Sequence, residues 1–184
     1  AELVAQERRL AIAGLGGAKL PFLVYNDGLL PFISMTKGER LQVKLVNKLS
    51  EHTSIHWHGV RVANGMDGIP WLTQAPVQPG ESYVYDFVPP DAGTFFFHPH
   101  CNETGQIGRG LTGILLVDDA VDPYHGRNLL AIRDWRIDPA KRNFLPMTTD
   151  KGAATSGTFG TVRTVNGAVQ PNIPVDPHPD FNRL

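Results

Sequence analysis

Apolar and polar residues alternate over short runs in the first two thirds of the chain, as they do in half-buried β-strands. Residues 41–47 show this most clearly. Residues 83–87 are rich in aromatic and branched residues, and residues 94–98 and 111–117 are similarly strand-like. Turn-forming residues separate the runs, at positions 37–39, 78–80 and 90–93. No long amphipathic helix is indicated. The pattern predicts an all-β fold, and its spacings are typical of a sandwich or a barrel.

A segment near the start of the chain is echoed near its end. Residues 26–35 read Asn-Asp-Gly-Leu-Leu-Pro-Phe-Ile-Ser-Met, and residues 166–175 read Asn-Gly-Ala-Val-Gln-Pro-Asn-Ile-Pro-Val. A repeat at this scale predicts two homologous domains in tandem. The first spans residues 1–120, and residues 121–184 form a linker and the truncated start of the second, with its first strand at residues 132–135. Alternatively, both segments are only Asn-Gly turns beside prolines.

Composition narrows the class of protein. The 184 residues carry a formal net charge of -1 and are 41% hydrophobic, as expected of a globular protein with one domain and part of another. Without a basic run, neither a nucleic acid nor an anionic membrane is expected as a partner. No apolar stretch approaches the roughly 20 residues that span a bilayer, and no targeting segment opens the chain. The single cysteine, Cys101, excludes an internal disulfide framework.

Candidate chemistry centres on two His-x-His motifs, at residues 56–58 and 98–100, which hold four of the seven histidines. Residues two apart on a strand project from the same face, so each motif aims two imidazoles at one point. About forty residues separate the motifs, enough for a connection that pairs their strands in an antiparallel sheet. Because imidazole is the commonest metal ligand, this repeated pairing predicts a metal site. The predicted ligands are His56, His58, His98 and His100. The alternative is a set of half-buried imidazoles hydrogen-bonded within a sheet.

The residues around these motifs have plainer interpretations. Trp57 and the phenylalanine run at residues 95–97 are interpreted as sandwich core beside the metal site. Cys101 is predicted to point away from the histidine pair that it follows and to pack as a small buried residue. The other histidines have no partner at ligand spacing and are assigned to surface or turn positions: His52, His125 and His178.

With these motifs in view, the chain resembles the N-terminal cupredoxin domain of multicopper oxidases, the family of laccases, ascorbate oxidase and bacterial copper-tolerance oxidases. The resemblance runs from about residue 26 to residue 117. It rests on His56-Trp57-His58-Gly59, Met66-Asp67-Gly68, Gln78-Pro79-Gly80-Glu81, Gly93-Thr94, His98-Pro99-His100 and Gly110-Leu111-Thr112-Gly113. The bacterial, manganese-oxidase-like branch is the most similar, because Cys-Asn follows the second histidine pair and Gly-Arg-Gly-Leu precedes the next strand.

The resemblance implies a cupredoxin-like Greek-key β-sandwich, followed by an incomplete second cupredoxin-like domain. In the family, histidines of the first and last domains together hold a trinuclear copper cluster. By motif position, His56 binds the type 2 copper, His58 and His98 share one copper of the type 3 pair, and His100 binds the other. The type 1 copper and the remaining cluster ligands are expected outside this chain. Zinc also binds histidines, and the sequence alone does not separate the two metals.

Two further residues are weighed against the family pattern. Asp67 lies nine residues after His58, where family members place a carboxylate beside the cluster, so the resemblance implies a catalytic role in relaying protons. A compatible alternative is that Asp67 stabilises the turn before Gly68. Cys101 is not assigned to a type 1 copper, because the other ligands that such a site needs are missing around it.

The resemblance implies a copper-dependent oxidase that acts in the periplasm or outside the cell. It would couple one-electron oxidation of a small reducing substrate, a phenol or a metal ion, to four-electron reduction of dioxygen to water. This chain would supply half of the trinuclear copper ligands, so the remaining part of the oxidase or a second chain is needed for turnover. Two alternatives stay open. One is a copper-binding or scaffolding cupredoxin module without turnover, and the other is a two-domain enzyme such as a nitrite reductase or small laccase.

Overall fold

The computed structural model describes residues 1–17, 19–119, 126–173 and 182–183. Its strands are β1 (Glu2–Ala11), β2 (Lys19–Tyr25), β3 (Phe32–Thr36), β4 (Leu41–Asn47), β5 (His56–His58), β6 (Ser82–Phe87), β7 (Gly93–His98), β8 (Gly113–Asp118), β9 (Gly126–Arg127), β10 (Ile132–Trp135), β11 (Ile137–Asp138), β12 (Asn143–Phe144), β13 (Val162–Val165) and β14 (Asn182–Arg183). Its helices are α1 (Glu103–Gly108), α2 (Asp150–Ala153) and a 3-10 turn at Asn64–Met66. The all-β prediction is confirmed. None of the helices in the described ranges has the length and apolar character to cross a membrane.

By their internal contacts, the residues group into two compact units. The first comprises Ala1–Arg9 and Pro21–Ala120. The second comprises Leu10–Leu20 and Val121–Leu184.

Strands β1 to β8 form two four-stranded sheets, in the orders β2-β1-β4-β6 and β3-β8-β7-β5. Strand β1 is parallel to β4 and β3 is parallel to β8, whereas the β4–β6, β5–β7 and β7–β8 pairs are antiparallel. The four predicted runs correspond to β4, β6, β7 and β8. Strand β8 begins at Gly113 rather than at residue 111, because the Leu111 amide donates to the Gln106 carbonyl in α1.

Inward-facing side chains of both sheets meet in one hydrophobic core. Buried and more exposed residues alternate along β4 and along β8, as the sequence pattern predicts. Trp57 of β5 and Phe97 of β7 are both buried, and their ring centroids lie 5.3 Å apart. Tyr85 of β6, on the other sheet, packs edge-on against Trp57 at 5.6 Å. The two sheets therefore pack face to face as a β-sandwich.

The second unit contains short antiparallel pairs. Strand β10 pairs with β13, and β11 pairs with β12. The predicted strand at residues 132–135 is confirmed as β10. Trp135 and Ile137 are buried, and the Trp135 Nε1–H donates to Thr164 Oγ1 at 2.8 Å. This buried indole hydrogen bond ties the two strands of the β10–β13 pair together.

The echoed segments adopt the same local structure. Asn26 and Asn166 both have positive φ, 60° and 50°. The Asn26 side chain accepts from the Val4 amide at 2.8 Å and donates to the Glu2 carbonyl at 3.2 Å. Correspondingly, the Asn166 side chain accepts from the Ala131 amide at 2.8 Å and donates to the Leu129 carbonyl at 2.9 Å. Each asparagine thus binds two residues, two positions apart, of an earlier segment. The second copy is described as far as residue 173.

Candidate metal centre

Strand pairing brings the two His-x-His motifs together. Strands β5 and β7 are antiparallel neighbours, with His56 opposite His98 and Trp57 opposite Phe97. Trp57 is 1% exposed and lies in the core, so by the alternation of the strand His56 and His58 project from the outer face. The predicted side-by-side antiparallel arrangement of the two motif strands is confirmed.

The four imidazoles cluster on this face. The His56 ring centroid lies 5.5 Å from that of His58, 5.4 Å from His98 and 4.9 Å from His100. The His98 ring is 5.4 Å from each of His58 and His100. Ligand nitrogens of His56, His98 and His100 all lie within 4.8 Å of one another. These separations place the imidazoles close enough to share metal ions.

The donor atoms fit a metal ion bound by histidine. Two imidazole nitrogens bound tetrahedrally at about 2.0 Å from one ion lie about 3.3 Å apart. The His58 Nδ1 and His98 Nε2 atoms are 3.2 Å apart. Neutral imidazoles suit copper and zinc, and unlike zinc, copper changes oxidation state.

Backbone carbonyls set the tautomers of two of the histidines. His56 Nδ1 lies 2.8 Å from the Asp67 carbonyl oxygen, and His98 Nδ1 lies 2.9 Å from the Pro99 carbonyl oxygen. Because a carbonyl only accepts, each Nδ1 carries the proton and each Nε2 keeps a free lone pair. Burial lowers the pKa of His98 below its ordinary value of 6.5. Burial therefore favours the neutral form of His98, the form that binds a metal ion.

Asp67 reaches the cluster from the loop that follows β5. Its Oδ1 lies 3.4 Å from His56 Nδ1, in addition to the hydrogen bond made by its carbonyl. The next residue, Gly68, has φ of +76° and packs so closely that a Cβ there would overlap the Ile55 carbonyl oxygen. The loop is further held by the Tyr83 hydroxyl, which donates to the Gly65 carbonyl at 2.8 Å. Only glycine at position 68 allows Asp67 to approach His56 in this way.

The interpretation of the whole run at residues 95–97 as core is wrong for Phe96. Phe97 is buried, but Phe96 is 41% exposed on the face that carries the histidines. Its ring stacks on His58 at 4.3 Å with an interplanar angle of 23°, and on His98 at 5.0 Å and 19°. Strand alternation is the physical reason, because Phe96 shares the parity of His98 and so projects to the same side. The two-residue spacing between Phe96 and His98 was the sequence signal that could have predicted this.

Sequence reasoning also missed Glu103, the first residue of α1. Its carboxylate lies 3.8 Å from His98 Nδ1 and 3.7 Å from His100 Nδ1. The i, i+3 spacing from His100 was the available signal, but it becomes meaningful only once a helix is known to begin at residue 103. The cluster is thus flanked by two carboxylates, one beside His56 and one beside the second histidine pair.

His52 and Cys101 each have contacts outside the cluster. The His52 ring packs edge-on against Trp71 at 5.2 Å, while His125 and His178 lie outside the described residues. Cys101 is 1% exposed, which confirms the predicted burial. Burial raises the pKa of its thiol to about 11, and Sγ lies 3.9 Å from Ser54 Oγ. Such a thiol is protonated and unreactive at neutral pH.

The fold is a cupredoxin-like β-sandwich, and its outer face carries a histidine cluster that fits a metal ion. A sequence profile of the multicopper oxidase family matches residues 9–122. The crystal structure of a multi-copper oxidase from Pseudomonas thermotolerans has a TM-score of 0.86 and 36% identity, over 92% of this chain and 41% of that chain. A multicopper oxidase of Staphylococcus aureus is 35% identical over 82% of this chain and 34% of its own length. An iron transport multicopper oxidase of Candida albicans is 42% identical over 55% of this chain and 17% of its own length.

The chain belongs to the multicopper oxidase family, the family named by the resemblance. It spans less than half the length of each of these relatives. None of the three is described as a manganese oxidase, so the assignment to that branch stays a prediction.

Proposed function

We propose that this chain supplies four imidazole ligands, half of a trinuclear copper site, to an oxidase that reduces dioxygen to water with electrons from a small reducing substrate. The observation that carries the proposal is the convergence of two histidine pairs on one outer face of the sandwich. The identity of that substrate, a phenol or a metal ion, and a periplasmic or secreted location remain predictions from the resemblance.

The contacts support assigning the four histidines to different copper ions. His58 and His98 would bind one copper of the type 3 pair, in keeping with the 3.2 Å between their nitrogens. His100 would bind the other type 3 copper. His56, whose Nδ1 donates to the Asp67 carbonyl, would bind the type 2 copper through Nε2. When bound, copper supplies the Cu(I)/Cu(II) change through which electrons reach dioxygen.

The protein itself orients the histidine rings, packs against them and delivers protons. The backbone carbonyls fix the rings of His56 and His98, and Phe96 covers two of the imidazoles. Asp67, one-third exposed and 3.4 Å from His56 Nδ1, connects the cluster with solvent. We assign to its carboxylate the delivery of protons that dioxygen reduction consumes. Its turn-stabilising role before Gly68 is compatible with this.

The domain organisation follows the same reasoning. Residues 1–120 form the copper-binding cupredoxin domain, and residues 121–184 are a linker and the opening of a second cupredoxin-like domain. The matching hydrogen bonds of Asn26 and Asn166 support this division, because an Asn-Gly turn alone does not require its asparagine to bind two residues far back in the chain. The remaining copper ligands would then come from a further part of the oxidase or from a second chain.

The test combines copper analysis with oxygen uptake. The protein produced from the complete gene is loaded with copper, and its copper content and oxygen consumption are measured with a phenol, Fe(II), Mn(II) and Cu(I). Replacing His56 and His98 together with alanine is expected to lower copper content and abolish oxygen consumption. His52→Ala is the matched control, because His52 packs on Trp71 instead of joining the cluster.

The outcomes separate the hypotheses. Unchanged copper content in the double variant would show that the ligand assignment is wrong. Copper that is bound by the wild type and lost in the double variant, without oxygen consumption by either, would favour the scaffolding alternative over the oxidase.

A further inference from the structure

One carboxylate faces both histidines of the second motif. The Glu103 oxygens lie 3.8 Å from His98 Nδ1 and 3.7 Å from His100 Nδ1. For a histidine that binds metal through Nε2, Nδ1–H is the outward side of the ring, where a carboxylate or carbonyl partner orients it and raises its basicity. His98 has the Pro99 carbonyl there at 2.9 Å. For His100, the group in this position is the Glu103 carboxylate.

Helix α1 sets the position of Glu103, and hydrogen bonds to residues much earlier in the chain hold this helix in place. Gln106, one turn after Glu103, is fully buried. Its Oε1 accepts from Thr53 Oγ1 at 2.8 Å, and its Nε2 donates to the His52 carbonyl at 2.9 Å. Residues 52 and 53 lie four and three positions before His56, the first residue of β5. The same hydrogen bonds therefore hold α1 against the segment that leads into the first motif.

The positive charge of bound copper explains why a carboxylate lies beside these histidines. The four imidazoles are neutral ligands, so they leave the charge of bound copper uncompensated. Distances of 3.7 and 3.8 Å exceed those of a direct hydrogen bond but lie within the roughly 4 Å range of an ion pair. At this range a carboxylate acts through its field on both rings, whereas a neutral amide of the same shape does not.

We infer that Glu103 is a positioning residue of the copper centre, whose negative charge orients the His98 and His100 rings and strengthens copper binding by them. The inference rests on the proposed function, since it needs these histidines to be copper ligands. Losing such an outer partner typically weakens metal affinity by about 10- to 100-fold. Because the Glu103 side chain is 48% exposed, water screens its charge, and we expect about tenfold, the lower end of that range.

The experiment measures Cu(II) affinity by competition with a chelator, using the protein from the complete gene. Glu103→Gln removes the charge and keeps the shape, and is expected to weaken Cu(II) binding by about tenfold. Glu103→Asp retains the charge and should bind more tightly than Glu103→Gln. Glu2→Gln is the matched control, since Glu2 is a half-exposed carboxylate 3.6 Å from its ion-pair partner Lys44. It should bind copper like the wild type.

Three results would overturn the inference. The first is Glu103→Gln binding Cu(II) as tightly as the wild type, and the second is Glu103→Asp binding as weakly as Glu103→Gln. The third is a urea unfolding midpoint of the copper-free Glu103→Gln protein that falls enough to account for the lost affinity. The double replacement of His56 and His98 is measured alongside. If that variant also binds copper like the wild type, the proposed function fails; if only the Glu103 variants do, the inference fails alone.

Discussion

Replacing Gly68 with alanine tests how the Asp67 loop is seated. With φ of +76°, position 68 costs a residue with a Cβ about 1–2 kcal/mol. The added Cβ would also overlap the Ile55 carbonyl oxygen and come within 3.0 Å of the His56 amide nitrogen. Because these are backbone atoms, they yield only by moving the loop or the strand, at an overpacking cost of about 1–3 kcal/mol. Together the two effects predict a loss of about 2–5 kcal/mol in the free energy of unfolding.

Gly80→Ala separates the two contributions. Gly80 has φ of +85°, but no atom lies within 4 Å of the Cβ that alanine would add. This variant should lose only about 1–2 kcal/mol. Urea unfolding of the copper-free proteins, followed by tryptophan fluorescence, gives both values on one scale. Equal destabilisation by the two substitutions would refute the close packing of Gly68 against β5.

The same pair of variants links the loop to the metal centre. Any shift of the loop at Gly68 moves the Asp67 carbonyl, which accepts from His56 Nδ1 at 2.8 Å. Loss of this partner frees the His56 ring, so Cu(II) affinity of Gly68→Ala should fall by about 10- to 100-fold. Gly80→Ala should bind Cu(II) like the wild type. Unchanged affinity in Gly68→Ala would show that the Asp67 carbonyl does not hold the ligand.

Two further predictions concern protons. Asp67→Asn keeps the backbone carbonyl that holds His56, so copper content should stay at the wild-type level. Oxygen consumption should fall by about 100-fold or more, and its pH profile should change. If the variant consumes oxygen like the wild type, Asp67 has only its role in the turn. Burial depresses the pKa of His98 below 6.5 in the folded state, so the unfolded chain takes up the proton first as pH falls. The copper-free protein should therefore lose stability as the pH falls from neutral to below about 6.5. Thermal unfolding across this range checks the sign, and His98→Gln should flatten the dependence.

Strand positions were predictable because the pattern of period two is local. The run at residues 41–47 corresponds to β4, whose buried positions are Leu41, Val43, Leu45 and Asn47. The pairing of β5 with β7 is a long-range property, and it was predictable for a chemical reason. Two histidine pairs can bind metal at one site only if their strands lie side by side. This chemical requirement predicts the strand pairing, which the hydrophobic pattern alone does not.

The parts that escaped prediction depend on contacts between distant segments. Helix α1 has six residues and no apolar stripe, and its anchor is the buried Gln106, which binds residues more than fifty positions earlier. Nothing near Glu103 in the sequence reveals that anchor. The parallel pairing of β3 with β8 is similar, since it joins segments about eighty residues apart without any motif to link them.

One strand register, that of β5 and β7, determines both the hydrophobic core on one face and the histidine cluster on the other. Trp57 opposite Phe97 in the core requires His56 opposite His98 on the outer face, because side chains alternate along both strands. Slipping β5 by one residue would turn Trp57 outward and place both histidines in the core, at the cost of burying unpaired imidazoles. Apolar packing on one face thus selects the register that brings the ligands together on the other. The geometry of the histidine cluster is therefore maintained by core residues that are not candidate metal ligands.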